Sequence, residues 1–274
     1  MHALLFAAAL AAPTPTATPT PSPQRLLAAI RAQFRSHRPP PAYVEYTMER
    51  KQLTEQGYPD YANSYKEHIW VRSSDRAALS RRVFRSINRG QMTFERPAFN
   101  EARDPGPPTA DVFEAAPLHP HPISFVPTPE AAETAPPLIG AVQVVGEFDY
   151  HVSSVETVGD QVHLVVVPVR DPDRNRVREI WADKNTLELR KIVATDKLFI
   201  LGTSDVYGVT FTITMDHVDG IPVVTQIHGV VGDGYSGDGS TVDYIFSDIS
   251  FPSTLPDWYF DAKEYAAHEA DEPI

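Results

Sequence analysis

Apolar and polar positions alternate with a period of two over most of the second half of the chain. Val209, Phe211, Ile213 and Met215 are interleaved with Thr210, Thr212, Thr214 and Asp216. That period belongs to a strand with one buried face. Seven runs of this kind are predicted as strands, over 148–157, 161–169, 177–183, 186–198, 206–218, 221–231 and 240–251. Their turns contain Gly-Asp, Asp-Pro-Asp, Lys-Asn, Asp-Gly and Gly-Asp-Gly. Turns this short force consecutive strands to pair antiparallel, so this half reads as a meander. Four further strand-like runs, 43–53, 64–72, 78–87 and 91–94, precede it and are separated by turn-rich pieces such as "EQGYPDYAN". One stretch changes period. Leu26, Leu27, Ile30 and Phe34 recur at helical spacing after Ser22, a capping residue, and Pro23, and Pro39 to Pro41 end the run. A helix over 25–36 follows, with an apolar stripe that needs a sheet to lie on.

Register turns these strands into surfaces. With Asp219 and Gly220 as a two-residue loop, Val209, Phe211, Ile213 and Met215 share a face with Val224, Gln226, His228 and Val230. The other face then receives the threonines with Val223, Thr225 and Ile227. With Lys184 and Asn185 as the loop of the preceding hairpin, Ile180 pairs with Leu189, Ala182 with Leu187 and Glu179 with Arg190. Residues 161–169, "QVHLVVVPV", are apolar on both faces and read as a central strand. One helix covers only part of so much apolar sheet. The sheet must close on itself or curl around a greasy hollow.

Length, charge and composition narrow the class. The chain has 274 residues, enough for one large β domain, and no cysteine, which excludes disulfides, thiolate metal sites and a cysteine nucleophile. Net charge is -12, which disfavours nucleic acid as a partner. The charge is uneven: residues 25–96 carry a net +7 and residues 97–274 a net -19. Mutual neutralisation within one fold is the simpler reading, and a basic patch for anionic headgroups the sharper one. Residues 1–11 read as a signal peptide, with the apolar run "ALLFAAALAA" too short to span a bilayer, and residues 12–24 as a Pro/Thr-rich linker. The main domain is placed at 25–262 and an acidic, frayed tail at 263–274. Within the domain, residues 97–137 hold 11 of the 26 prolines and read as a long loop or lid. Residues 137–145 fit a short helix or a buried strand equally well. The chain is therefore expected to be exported, periplasmic or extracellular.

Candidate chemistry is sparse. His119 and His121 stand two apart near Asp111 and Glu114, but no third metal ligand has a clear spacing, so no metal is expected. "GDGYSGDGS" at 232–240 lacks the spacing of a calcium loop, and its serine lacks the nucleophile-elbow context. No phosphate loop or dinucleotide fingerprint occurs. An enzyme and a cofactor are not expected. Trp70, Trp181 and Trp258 read as packing residues.

Against this background the chain resembles the LolA/LolB-like periplasmic lipoprotein-carrier superfamily. The resemblance rests on "HLVVVP", a polar turn, "REIWAD", a Thr turn and "ELRKI", then on "VTFTITMDHVDGIPVVTQIHG", and covers most of residues 25–260. It implies a mainly β fold: a curved, unclosed antiparallel half-barrel with an N-terminal amphipathic helix and a lid over its concave apolar side. Here the Pro-rich segment 97–137 occupies the lid region. Members of the family hold acyl chains in the hollow, and others only sense or bind. The function expected is a non-enzymatic carrier or sensor for lipid or for lipoprotein acyl chains, monomeric, with transient membrane contact left open. Register nominates Phe211, Ile213, Met215 and Val224 as hollow-lining residues, with Ile180 and Leu189 next. His228 is the polar candidate on that face, as a headgroup partner or as a satisfied core histidine. An envelope protein-interaction module with a self-filled core is the alternative, and a hydrolase built on the His/Asp loops a third.

Overall fold

Among the described residues, eleven antiparallel strands form one sheet that does not close. This computed structural model describes residues 22–37, 41–54, 56–86, 92–101, 105–113, 149–170, 172, 175–199, 206–232 and 239–268. The strands are β1 (Tyr43–Leu53), β2 (Tyr65–Arg72), β3 (Ala77–Ser86), β4 (Met92–Phe99), β5 (Tyr150–Val158), β6 (Gln161–Pro168), β7 (Val177–Asp183), β8 (Leu189–Phe199), β9 (Val206–Val218), β10 (Ile221–Val231) and β11 (Thr241–Ser250). Across the sheet they run in the order β4-β3-β2-β1-β11-β10-β9-β8-β7-β6-β5, so the meander expected over β5 to β11 is present and β1 to β4 form a second one. The two join where β1 pairs with β11. Among the described residues no helix is long and apolar enough to cross a membrane.

Helix α1 (Pro23–Arg35) starts where Ser22 caps it, the Ser22 hydroxyl accepting from the Arg25 amide. Its stripe is buried at Leu27 and Ile30. The helix crosses the inner face of the sheet. At its N-terminal end Gln24 bonds the backbone of β5, and just past its C-terminal end the His37 ring lies 5.3 Å from that of His217, near the end of β9. A 13-residue helix is about 20 Å long, and the four strand spacings from β5 to β9 make about 19 Å. Helix length thus matches the span it covers. Residues 105–113 lie beside it: Phe113 packs edge-on against Phe34, Asp111 pairs with Arg35 at 3.0 Å, and the Pro108 carbonyl accepts from the Val224 amide.

Several expectations change. The strand read at 91–94 runs on to Phe99 and includes Pro97, which an edge strand tolerates because its missing N–H faces no partner. Strand β6 is next to the β5 edge rather than central, and Val167 on its outer side and Val169 just past its end are exposed. The start of the acidic tail is ordered as α2 (Ala262–His268). Its Tyr265 is buried against Phe99 and Trp258, the latter in the preceding 3-10 turn Asp257–Phe260, whose Phe260 stacks on Tyr43. This small cluster covers the outer face of β2 to β4, where Trp70 stacks edge-on with Tyr259. Residues 137–145, His119 and His121 lie outside the described residues.

Candidate functional site

The inner face is built from lateral rows. Arg50, Tyr244, Ile227, Ile213, Ile192, Ile180, Leu164 and Val155 stand opposite one another on eight successive strands. The neighbouring row is Gln52, Val242, Gly229, Phe211, Ala194 and Val177. Both rows are apolar through the middle of the sheet and turn polar at β1. This follows from β1's own alternation: Val44, Tyr46 and Met48 face inward and are buried, and Arg50 and Gln52 continue the same parity.

The register expected for two hairpins is corrected. From Val218↔Ile221 to Met215↔Val224 the pairs across the Asp219-Gly220 turn are those expected. Thr225 is then an extra residue, a bulge, and Gln226 pairs with Thr214. Beyond it Ile227 stands with Ile213 on the inner face, while Gln226 and His228 move to the outer face with Thr214 and Thr212. His228 therefore does not share a face with Phe211. Its Nδ1 lies 2.8 Å from Asp243, and Gln226 donates to the same carboxylate at 3.0 Å. In the β7–β8 hairpin the loop is four residues, closed by the Asp183 amide donating to the Glu188 carbonyl, with Leu187 in the left-handed region. The loop sets Ala182 opposite Leu189, and a bulge at Arg190 then brings Ile192 opposite Ile180. Glu179 contacts His163 and the Trp181 indole, and Arg190 contacts Glu188.

The structure brings the six apolar candidates together. Phe211, Ile213, Met215, Val224, Ile180 and Leu189 belong to one core cluster at 0–4% exposure, with Leu27, Ile30 and Phe113 packed into it. Beside them Arg31 is buried against the Phe113 ring, and burial, then the nearby Arg35, lowers its pKa. Burial likewise raises the pKa of the Tyr150 phenol, whose oxygen accepts from the Val177 amide.

Two clefts lie where α1 does not reach. One, of about 150 Å³, is lined by Arg50, Gln52, Val209, Val231, Ser240, Thr241 and Val242. The other, of about 350 Å³, lies along the β1–β2 hairpin, between Glu49 to Leu53 and Ser64 to Lys66, with Pro59 and Tyr61 at its rim. Arg50 and Gln52 line both, and none of the seven candidates lines either. The Arg50 guanidinium donates from Nε to the Tyr244 hydroxyl at 3.3 Å, from one terminal nitrogen to Gln52 at 2.7 Å and from the other to the Asn63 carbonyl. Sequence reasoning passed over these residues. The available signal was a cation and an amide continuing an apolar parity in "YVEYTMERKQL".

The outer face carries a second polar group. The His163 ring stacks on Trp181 at 3.9 Å and places its nitrogens 2.7 Å from Glu156 and 3.0 Å from Glu179. Lys191 Nζ sits 3.9 Å from the Trp181 ring centre.

No family model matches the chain, and no curated protein matches it. Solved structures do. A LolA superfamily protein from Nitrosomonas europaea aligns over 86% of this chain and 98% of its own, at 12% identity and a TM-score of 0.39. The MucA/MucB complex of Pseudomonas aeruginosa aligns over 85% and 95%, at 12% identity and a TM-score of 0.19. A structure of MucB with MucA(peri) aligns over 85% and 95%, at 11% identity and 0.21. At these values the likeness carries nothing about ligands or partners.

Proposed function

We propose that the chain is an exported, non-enzymatic binding protein of the envelope that takes up an acyl chain of a lipid or lipoprotein, as a carrier or a sensor. The supporting observation is the smaller cleft. Val209, Val231 and Val242 wall it, Val209 and Val242 belong to the buried core, and its polar side is Arg50 with Gln52. An apolar wall ending in one cation suits an amphiphile. Each methylene withdrawn from water gains about 0.8 kcal/mol, so several outweigh a single polar contact. The cleft along the β1–β2 hairpin, at about 350 Å³, falls within the range of about 300–1,000 Å³ usual for small-molecule sites. The six apolar candidates line neither cleft; they belong to the packed core that also holds Val209 and Val242, and an acyl chain reaches them only if α1 moves aside.

A second reading, an envelope protein-interaction module without a lipid ligand, is favoured by one observation. Those six side chains are already covered by the protein's own Leu27, Ile30 and Phe113. Native mass spectrometry of the chain purified from an envelope separates the two. Co-purifying lipid, or saturable uptake of a fluorescent fatty acid, supports the carrier. A clean apo mass without uptake leaves the interaction module.

A further inference from the structure

Arg50 differs from Arg82 of β3 and from Arg176, just before β7. Arg82 pairs with Glu67, and Arg176 with Asp196 at 2.7 Å. Arg50 faces inward on the same sheet, yet its three hydrogen bonds all go to neutral oxygens: a phenol, an amide and a backbone carbonyl. The Tyr65 and Tyr244 rings lie 5.9 and 5.7 Å from its guanidinium carbon. Among the described residues no carboxylate comes within ion-pairing distance of it. Glu67, the acid nearest in register on the inner face, is held by Arg82, and Glu49 is paired with Lys51 on the opposite face.

A half-buried cation without a counter-ion is costly, because desolvation weakens its hydration and nothing of opposite sign replaces it. The five N–H groups of a guanidinium form a fork. With three of them engaged by described residues, one N–H on each terminal nitrogen remains for a ligand. Two such donors match a carboxylate or a phosphate. The hydrogen bonds to Tyr244, Gln52 and Asn63 fix the plane of the fork in advance.

We infer that Arg50 is the anion subsite of an amphiphile: it binds the carboxylate or phosphate head of a single-chain lipid whose tail lies against Val209, Val231 and Val242. Gln52 and the Tyr244 hydroxyl are positioning residues that hold the guanidinium. This rests on the acyl-binding reading above and adds the chemistry of the head.

Calorimetric titration of the full chain with dodecanoate, dodecyl phosphate and dodecanol tests it, since the three differ only at the head. Wild type is expected to bind at least one anionic amphiphile about tenfold to a hundredfold more tightly than dodecanol, the range for one charged hydrogen-bonded contact. Whichever anion binds better identifies the head. Arg50→Gln is expected to remove that preference, so that the three amphiphiles bind alike, and Arg50→Lys to restore part of it. Equal binding of all three by wild type overturns the subsite and leaves acyl binding standing, and needs no variant to fold. An anionic preference that survives in folded Arg50→Gln overturns it too. If none of the three binds, acyl binding fails and the subsite with it.

Discussion

At the scale of single residues, Phe211 and Gly229 carry most of the information about how tightly the inner face is built. They stand directly opposite on β9 and β10. A Cβ placed on Gly229 would lie 2.6 Å from Phe211 Cε1 and 2.9 Å from Val242 Cγ1. The ring lies over the glycine, and no side chain fits between them. Gly229→Ala should therefore destabilise the fold by about 1–3 kcal/mol through overpacking. In a Phe211→Leu background its additional cost should shrink, without vanishing, because Val242 remains. Urea midpoints of the four proteins close this cycle, and equal costs in both backgrounds would show the contact to be illusory. Asp183 fixes a different kind of site. Its carboxylate accepts from the amides of Asn185 and Thr186, which hold it below the usual carboxylate range. A carboxyl held low stabilises the fold above its unfolded value of about 3.9 and loses that contribution as pH falls through the folded value. Asp183→Ala should lower Tm at neutral pH, and the gap between the two proteins should narrow in acid. A gap that stays constant down to acid unfolding would assign the effect to something other than the charge.

Among the elements, the two edges of the sheet are managed differently. Strand β4 is blunted by Pro97. At the start of β5 the Gln24 side chain acts as a piece of strand: its Nε2 donates to the Tyr150 carbonyl at 2.7 Å, and its Oε1 accepts from the Val152 amide at 3.3 Å. Gln24→Ala should cost about 1–2 kcal/mol, two net hydrogen bonds, and speed hydrogen exchange at Val152 selectively. Unchanged exchange there would mean that α1 does not protect the edge. None of this was legible beforehand, because the contact spans 126 residues and a glutamine at a helix start has no special signature. What was legible has a local cause. Period-two alternation located β9 and β10, and Asp219-Gly220 set their first pairs. The bulge at Thr225 was not legible, since one added residue leaves the composition of both faces plausible, with Ile227 and His228 exchanging places. The four-residue loop after Asp183 escaped for a related reason. It needs Leu187 at φ 60°, a conformation that leucine does not advertise.

For the whole molecule, the decisive feature is the β1–β11 pairing, which joins residues 43–53 to residues 241–250. Alternation along the chain could give two meanders, but nothing in either half announces that they share one sheet. The opposite charges of the two halves, net +7 over residues 25–96 and net -19 over the rest, are compatible with such a union without identifying its strands. The halves are also interlocked. Helix α1 precedes β1 in sequence, yet it packs on β5, at the far edge of the sheet. Its Leu27 and Ile30 share the core cluster with Tyr150 and Val152. A fragment ending at residue 113 would carry the helix without the strands beneath it. A fragment beginning at residue 149 would carry those strands uncovered, with β11 as a new free edge. Neither should fold alone. Produced together, residues 1–113 and 149–274 should co-purify as a 1:1 complex whose far-UV spectrum matches the intact chain and which unfolds in one transition. A native-like spectrum from either fragment alone would mean that the sheet is two folding units side by side, and that the cleft at the β1–β11 junction, with Arg50 in its wall, lies on a boundary between them rather than inside one cooperative structure.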